Sequence, residues 1–290
     1  MKKYLIILVL ALLALGGCKD ATAKVSNANE ALITFGNTKI TKGEVYEVLN
    51  RQDGFSTVLS NVRFTILDKE VETTQEMENS AKEKLEADKE TYGEDFESYI
   101  KYNGFLTEED YLNKYLIPNE KTSALTDAYI DGNWENILVS YYPAQVEMIE
   151  CDEKAKATDA VTRLNGGESM ESIANDLSTK SNDLYDGKVH VVSAADSSTL
   201  NSYIMDFIKN SAEPGTSQVL ENSAGDKFYL VRVVSKDALA FKQSAVESIK
   251  KASTLNNEMM AYYYKKYGFR TYDVSLRDYL RSYYPTYLNQ

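Results

Sequence analysis

The chain has 290 residues, 43% of them apolar and 26% charged, the balance of a folded, water-soluble protein of about two domains; disordered and collagen-like chains are excluded. One histidine and two cysteines are too few for a structural zinc site, an iron-sulfur cluster or a Ser-His-Asp triad, so neither a metal nor a cofactor is implied. Asp and Glu exceed Lys and Arg by 44 to 32, a formal charge of −12, and nucleic acid, whose binding depends on cations that neutralise phosphates, is not an expected partner.

Lys2 and Lys3 precede an apolar stretch over residues 4–15 and then Gly16 and Gly17, the layout of a secretory leader. The stretch is shorter than the roughly 20 residues that cross a bilayer, and Lys19 and Asp20 end it. Leu15-Gly16-Gly17-Cys18 resembles a bacterial lipobox, which implies cleavage between Gly17 and Cys18 and a diacylglycerol on the Cys18 thiol. Two or three acyl chains hold a protein on a membrane where one does not, each buried methylene contributing about 0.8 kcal/mol. Loss of Lys2 and Lys3 with the leader takes the side-chain charge from −12 to −14 and leaves Cys151 as the one free thiol. An internal disulfide is then impossible, and stability rests on the core.

Residues 19–30 are small and polar and read as a tether. Residues 31–35 alternate as a strand, Gly36-Asn37 turns the chain, and Thr41 with Glu44 three residues on opens a helix that runs to about Leu49. Residues 64–142 carry helical periodicity with breaks at Tyr92-Gly93, Asn103-Gly104 and Pro118, and Thr107 before three acids is another helix start. The texture then changes: a strand over 146–150, a helix over 152–164 stopped by Gly166-Gly167, a helix over 169–177, a helix over 200–209, the Pro214-Gly215 turn, and strands over 217–220 and 227–234. After Asp237 helical spacing returns, with Ala245, Ile249, Ala252, Met259 and Tyr263 on one apolar face. The order of elements predicts an α+β protein. Residues 1–17 are the signal peptide and 18–30 the lipidated tether; 31–143 and 237–290 build one helical domain from both chain ends, and 144–236 is inserted between them.

Most chemical motifs are missing or have plain structural readings. No phosphate-binding glycine loop is present. Glu108-Glu109-Asp110 reads as a solvated helix start, His190 in Val189-His190-Val191-Val192 receives no role, and Glu150, Asp152 and Glu153 disfavour a thiolate at Cys151. Nine of the 22 tyrosines fall between Tyr262 and Tyr287. A large apolar body with a polar tip suits a surface that grips unfolded chains, and half of them are expected to be packing residues.

The central segment resembles a parvulin peptidyl-prolyl isomerase domain, and the whole chain is similar to extracytoplasmic foldase lipoproteins of the PrsA type, related to SurA-like chaperones. The resemblance is carried in order by Ile40 to Glu44, by the stretch from Tyr92-Gly93 to Tyr111, by Asp152-Glu153-Lys154-Ala155, by Asn165-Gly166-Gly167-Glu168-Ser169-Met170, by Pro214-Gly215-Thr216-Ser217 and by Phe228 to Val233. It implies a small antiparallel sheet flanked by helices, inserted in a helical chaperone domain. It also implies attachment to the outer face of the cytoplasmic membrane and unfolded secreted polypeptides as partners, and it leaves a homodimer open. Where the family carries two histidines and an acidic or thiol group, this chain places Glu147, Tyr229 and Lys188. The expectation is therefore a degenerate module with weak or no isomerase activity, its three altered residues around one shared hollow. An active isomerase and a lipid-anchored adhesin or solute-binding protein are the alternatives.

Overall fold

A computed structural model describes residues 25–36, 38–211 and 215–288; the expectations for the leader, for Gly17 and Cys18, and for Pro214 lie outside them. The chain divides into two compact units, the first made of the chain before Asp127 together with Asn256 onward, the second of Asp127–Leu255.

The first unit opens with a hairpin of β1 (Ala31–Phe35) and β2 (Thr38–Thr41), antiparallel, with Gly36 in the left-handed region at φ 57°. Helix α1 (Lys42–Leu49) starts where expected. Thr41 Oγ1 accepts from the Glu44 amide at 3.3 Å and the Glu44 carboxylate accepts from the Thr41 amide at 2.7 Å, so two donors that the first turn would leave unpaired are satisfied. A π turn (Asn50–Gly54) leads into α2 (Phe55–Glu70), followed by α3 (Gln75–Tyr92), α4 (Phe96–Tyr102), α5 (Glu108–Tyr111) and α6 (Ile117–Gly132). Breaks fall at Gly93 and Gly104, both at positive φ. The break expected at Pro118 does not occur. The residues before it, Leu112–Leu116, form a π turn in which the Ile117 amide reaches back to Leu112 O, and this widened turn accommodates the proline ring and its missing donor near the start of α6. Ala81, Leu85, Phe96, Ile100, Tyr111 and Leu116 form the core beneath these helices, each large apolar side chain contributing about 1.5–3 kcal/mol on burial.

The second unit begins with the end of α6 and α7 (Trp134–Tyr141). It continues with β3 (Ala144–Cys151), α8 (Lys154–Asn165), α9 (Met170–Leu177), β4 (His190–Val192), α10 (Ser202–Asn210), β5 (Gly215–Thr216), β6 (Leu220–Glu221), β7 (Phe228–Ser235) and α11 (Lys242–Ile249). The strands form one antiparallel sheet in the order β4-β3-β7-β5, with β6 also on β7, and the protein is α+β. Strand side chains point alternately to opposite faces. Val146 and Met148 with Tyr229, Val231 and Val233 meet Ile204, Met205 and Ile208 of α10 on one face. Ile149 and Cys151 with Phe228 and Leu230 meet Ala157 and Ala160 of α8 and Met170, Ile173 and Ala174 of α9 on the other. This unit is wider than the expected 144–236 segment because α6, α7 and α11 bury Ile130, Ile137, Tyr141 and Ile249 together with Leu255.

The last part of the chain rejoins the first unit as α12 (Leu255–Lys266) and α13 (Val274–Tyr283), the latter capped by Asp273 Oδ1, which accepts from the Leu276 amide at 2.8 Å. The single apolar face expected from Ala245 to Tyr263 is thus two faces. Ala245 and Ile249 belong to α11 in the second unit, and Met259 and Tyr263 belong to α12 in the first. A run of threes and fours continues across the turn over residues 250–254, so periodicity alone does not reveal the break.

Candidate functional site

The parity of the sheet decides which of the expected site residues meet. In the β3/β7 ladder Glu147 stands opposite Arg232 and Glu150 opposite Tyr229. Tyr229 belongs to the face covered by α10; Glu147, one residue out of step with Val146 and Met148, belongs to the other face. There the Glu147 carboxylate lies 2.5 Å from Arg232 Nη2. Lys188 is largely exposed, its Nζ 3.8 Å from Glu171 of α9 and 4.0 Å from Asp186. The three residues therefore do not ring one hollow. The reason is the period of two along a strand, by which a slip of one residue carries a side chain through the sheet.

What surrounds Tyr229 is a different set. Its ring is 3% exposed, with the Tyr185 ring 5.6 Å and the Tyr203 ring 6.5 Å away between centroids. Glu150 is also buried. Its Oε1 accepts from Thr179 Oγ1 at 2.5 Å and from Lys227 Nζ at 3.1 Å, and the Thr179 amide donates to the Glu150 carbonyl at 2.7 Å. Burial pushes the Glu150 carboxyl upward, but hydrogen bonds from Thr179, Lys227 and Ser181 and the Lys227 charge outweigh it, and the net shift is downward. Tyr229 is pushed up to about 12, first by burial and then by the Glu150 charge, while a hydrogen bond from Asn201 pulls the other way. Tyr185 is raised as well, by burial and then by Tyr229 and Glu150. Local turns hold these groups: Asn182 caps the short turn Asp183–Tyr185, and Ser178 Oγ donates to Tyr185 O at 2.7 Å.

At neutral pH this arrangement presents an ionised Glu150 carboxylate, bonded by Thr179, Lys227 and Ser181, beside the protonated phenols of Tyr229 and Tyr185. It supplies no group that exchanges a proton near pH 7 and no activated nucleophile. His190 lies apart, with Nε2 2.8 Å from Asp186 Oδ1. Cys151 is buried and its thiol is pushed up to about 11 by burial and then by Asp152. Leu200 is buried in the α10-side core. Among the described residues no group of three or more His, Cys, Asp or Glu is placed to hold a metal ion. Nor is any helix among them long and apolar enough to cross a membrane. Motif and resemblance alone do not single out Glu150. Its sequence signal is a carboxylate within the run Val146 to Cys151, where Val146, Met148, Ile149 and Cys151 are apolar, since such a group enters a core only with partners.

Neither a protein-family model nor a curated protein matches the sequence. Solved structures similar to this chain are PrsA structures from several bacteria. The foldase protein PrsA of Streptococcus pneumoniae is 14% identical, covering 89% of this chain and 100% of that one, with a TM-score of 0.41. The peptidylprolyl isomerase PrsA of Bacillus cereus is 18% identical over 89% and 99%, with a TM-score of 0.45. PrsA of Bacillus subtilis is 18% identical over 87% and 98%, with a TM-score of 0.36.

Proposed function

We propose that this chain is a lipid-anchored foldase or chaperone on the outer face of the cytoplasmic membrane, and that its second unit is a parvulin-shaped module with little or no isomerase turnover. One observation carries the reading. The segments that resemble the parvulin family lie in order on a small antiparallel sheet flanked by helices, set between two stretches of a helical unit; the positions at which the resemblance calls for imidazoles hold Glu147, paired with Arg232, and Tyr229, beside the buried Glu150. Prolyl isomerisation crosses a barrier of ~18–20 kcal/mol by holding a twisted amide in an apolar slot. Here the rings of Tyr185 and Tyr203 each pack against Tyr229 on the α10 side of the sheet, which supports loss of turnover. A solute-binding protein with two similar α/β lobes has less support, since the described strands of the first unit are the β1–β2 pair alone.

Chaperone action would come from competition for exposed apolar surface on unfolded chains, and an excess of acidic over basic residues favours cationic clients. Two assays test the proposal: suppression of light scattering from a reduced, basic secreted protein, and a protease-coupled proline-peptide assay. The expected pair is suppression that weakens with salt and a proline rate equal to the uncatalysed one. Turnover that disappears in Tyr229→Phe would establish an active isomerase instead. Labelling with an alkynyl fatty acid in cells should mark the wild-type chain and not Cys18→Ala.

A further inference from the structure

Within the first unit a hollow of about 170 Å³ is lined by α2, α12 and the C-terminal tyrosines. From α2 come Ser56, Leu59, Ser60 and Arg63, spaced three and four apart so that they share one helix face. Asn256, Asn257, Met260 and Tyr264 come from α12, and Tyr279, Tyr284 and Tyr287 from the end of the chain. Ser56, Ser60, Asn256 and Asn257 are exposed at the rim, whereas Met260, Tyr264 and Tyr287 are buried. The Tyr264 and Tyr287 rings meet edge to face at 4.7 Å and the Tyr284 and Tyr287 rings stack at 5.0 Å, which makes the wall rigid and aromatic. Tyr287 is fixed by donation to Asn257 Oδ1 at 3.0 Å.

Arg63 is the only charged residue in this lining, in a chain whose acidic residues outnumber its basic ones by 44 to 32. It is half-buried. Its Nη2 donates to Thr122 Oγ1 at 2.9 Å, its Nε is buried without a hydrogen-bond partner, and no carboxylate lies within ion-pair distance of it among the described residues. The acids nearby on α2 are committed elsewhere, Asp68 to Lys121 at 2.7 Å and Glu70 to Lys266 at 2.5 Å. Burial pulls the Arg63 guanidinium below its ordinary value while Tyr287 and Tyr264 pull it upward, the situation of a cation removed from water without a counter-charge. Such a cation costs free energy until an anion reaches it, and a guanidinium matches a carboxylate in charge and in planar geometry. Serine hydroxyls and asparagine amides add neutral donors at the rim.

We infer that this pocket receives a carboxylate of an unfolded polypeptide, with Arg63 as the counter-charge and the tyrosine rings as the wall for the adjoining apolar residue. The identity of the ligand as a polypeptide rests on the foldase reading; the carboxylate preference rests on the pocket alone. Two sources fit, a chain's C-terminus or an internal Glu or Asp. Because the protein as a whole is acidic, the pocket is a local exception that selects chains which are basic overall yet carry one such group.

The test uses the mature chain with Cys18→Ala and fluorescein-labelled peptides read by anisotropy. One pair is Lys-Gly-Lys-Ala-Phe-Leu with a free or an amidated C-terminus; the other is Lys-Gly-Lys-Phe-Glu-Leu-Gly against its Gln counterpart, both amidated. The expected result is about tenfold tighter binding of the carboxylate member of at least one pair, abolished in Arg63→Gln and reduced in Ser60→Glu, which adds a repelling charge at the exposed rim and keeps the inference testable should Arg63→Gln not fold. Equal binding of both members of both pairs overturns it, as does a preference that survives in the variants. Suppression of client aggregation measured alongside separates the claims: suppression without any carboxylate preference leaves the foldase reading standing and removes this one, and the reverse outcome removes only the foldase reading.

Discussion

Replacing Glu150 by alanine should unfold the second unit at markedly lower denaturant. The carboxylate is buried and accepts from Thr179 at 2.5 Å and from Lys227 at 3.1 Å, with further bonds from Ser181 and Tyr229. Hydrogen bonds to a charged acceptor contribute about 1.5–3 kcal/mol each, and donors left unpaired in a core add to the loss. Lys227 is about one-third exposed and Thr179 is exposed, so water recovers part of this, and the net cost is about 3 kcal/mol. With a urea slope of about 1.5 kcal/mol/M the midpoint falls by roughly 2 M. Glu150→Gln, which keeps the shape and loses the charge, should cost about half as much. The chain has a single tryptophan, Trp134, in the second unit, so its fluorescence follows this unit. The pH dependence has a definite sign. The folded pKa of Glu150 lies below its ordinary value, so its contribution is fully present above the unfolded pKa of about 4.3 and is lost as pH falls through the lower folded value. A midpoint for Glu150→Ala within about 0.3 M of wild type would refute the reasoning.

Three further outcomes follow from named contacts. Gly187→Ala should cost about 3 kcal/mol or more, since Gly187 sits at φ 75° and a methyl there would lie 2.4 Å from Met170 O and 2.7 Å from Ala174 Cβ; a urea midpoint near wild type would contradict this. With Cys18 replaced, Cys151 should stay unmodified by a thiol reagent at pH 8 in the folded protein and react at once in urea, because it is buried and its thiol is pushed up to about 11; rapid native labelling would show an open sheet face. Glu168, held down to about 2 chiefly by its hydrogen bonds from Arg163 and then Ser172, should titrate near that value by carboxyl carbon NMR and return toward about 4.3 in Arg163→Gln.

Much of the local structure was legible because it is written in neighbouring residues. The Thr41–Glu44 box, the cap at Thr107 and the stops at Gly93, Gly104 and Gly167 all depend on contacts within a turn or two. Pro118 misled because the π turn that accommodates it is a response of the backbone rather than a pattern of residue types. The site misled for another reason. β3 is covered on both faces, so buried positions run on from Met148 to Cys151 and the alternation that would reveal which face Glu147 occupies is masked. Counting from Asp152 fixes an alignment but not a side of the sheet. Arg63 gave no signal, as its pocket is closed by tyrosines more than 190 residues later in the chain.

That distance bears on how the molecule comes into being. Glu70 is bridged to Lys266 and Tyr267, partners 196 and 197 positions onward, and Arg63 shares its hollow with Tyr287 near the final residue. A chain threaded outward from its amino end would complete the sheet-bearing unit, whose segment is continuous, while the helical unit still waits for its closing helices. For that interval the faces of α2 that later meet α12 and α13 stand open to water, and the newborn protein is itself in need of the kind of shelter it is proposed to give.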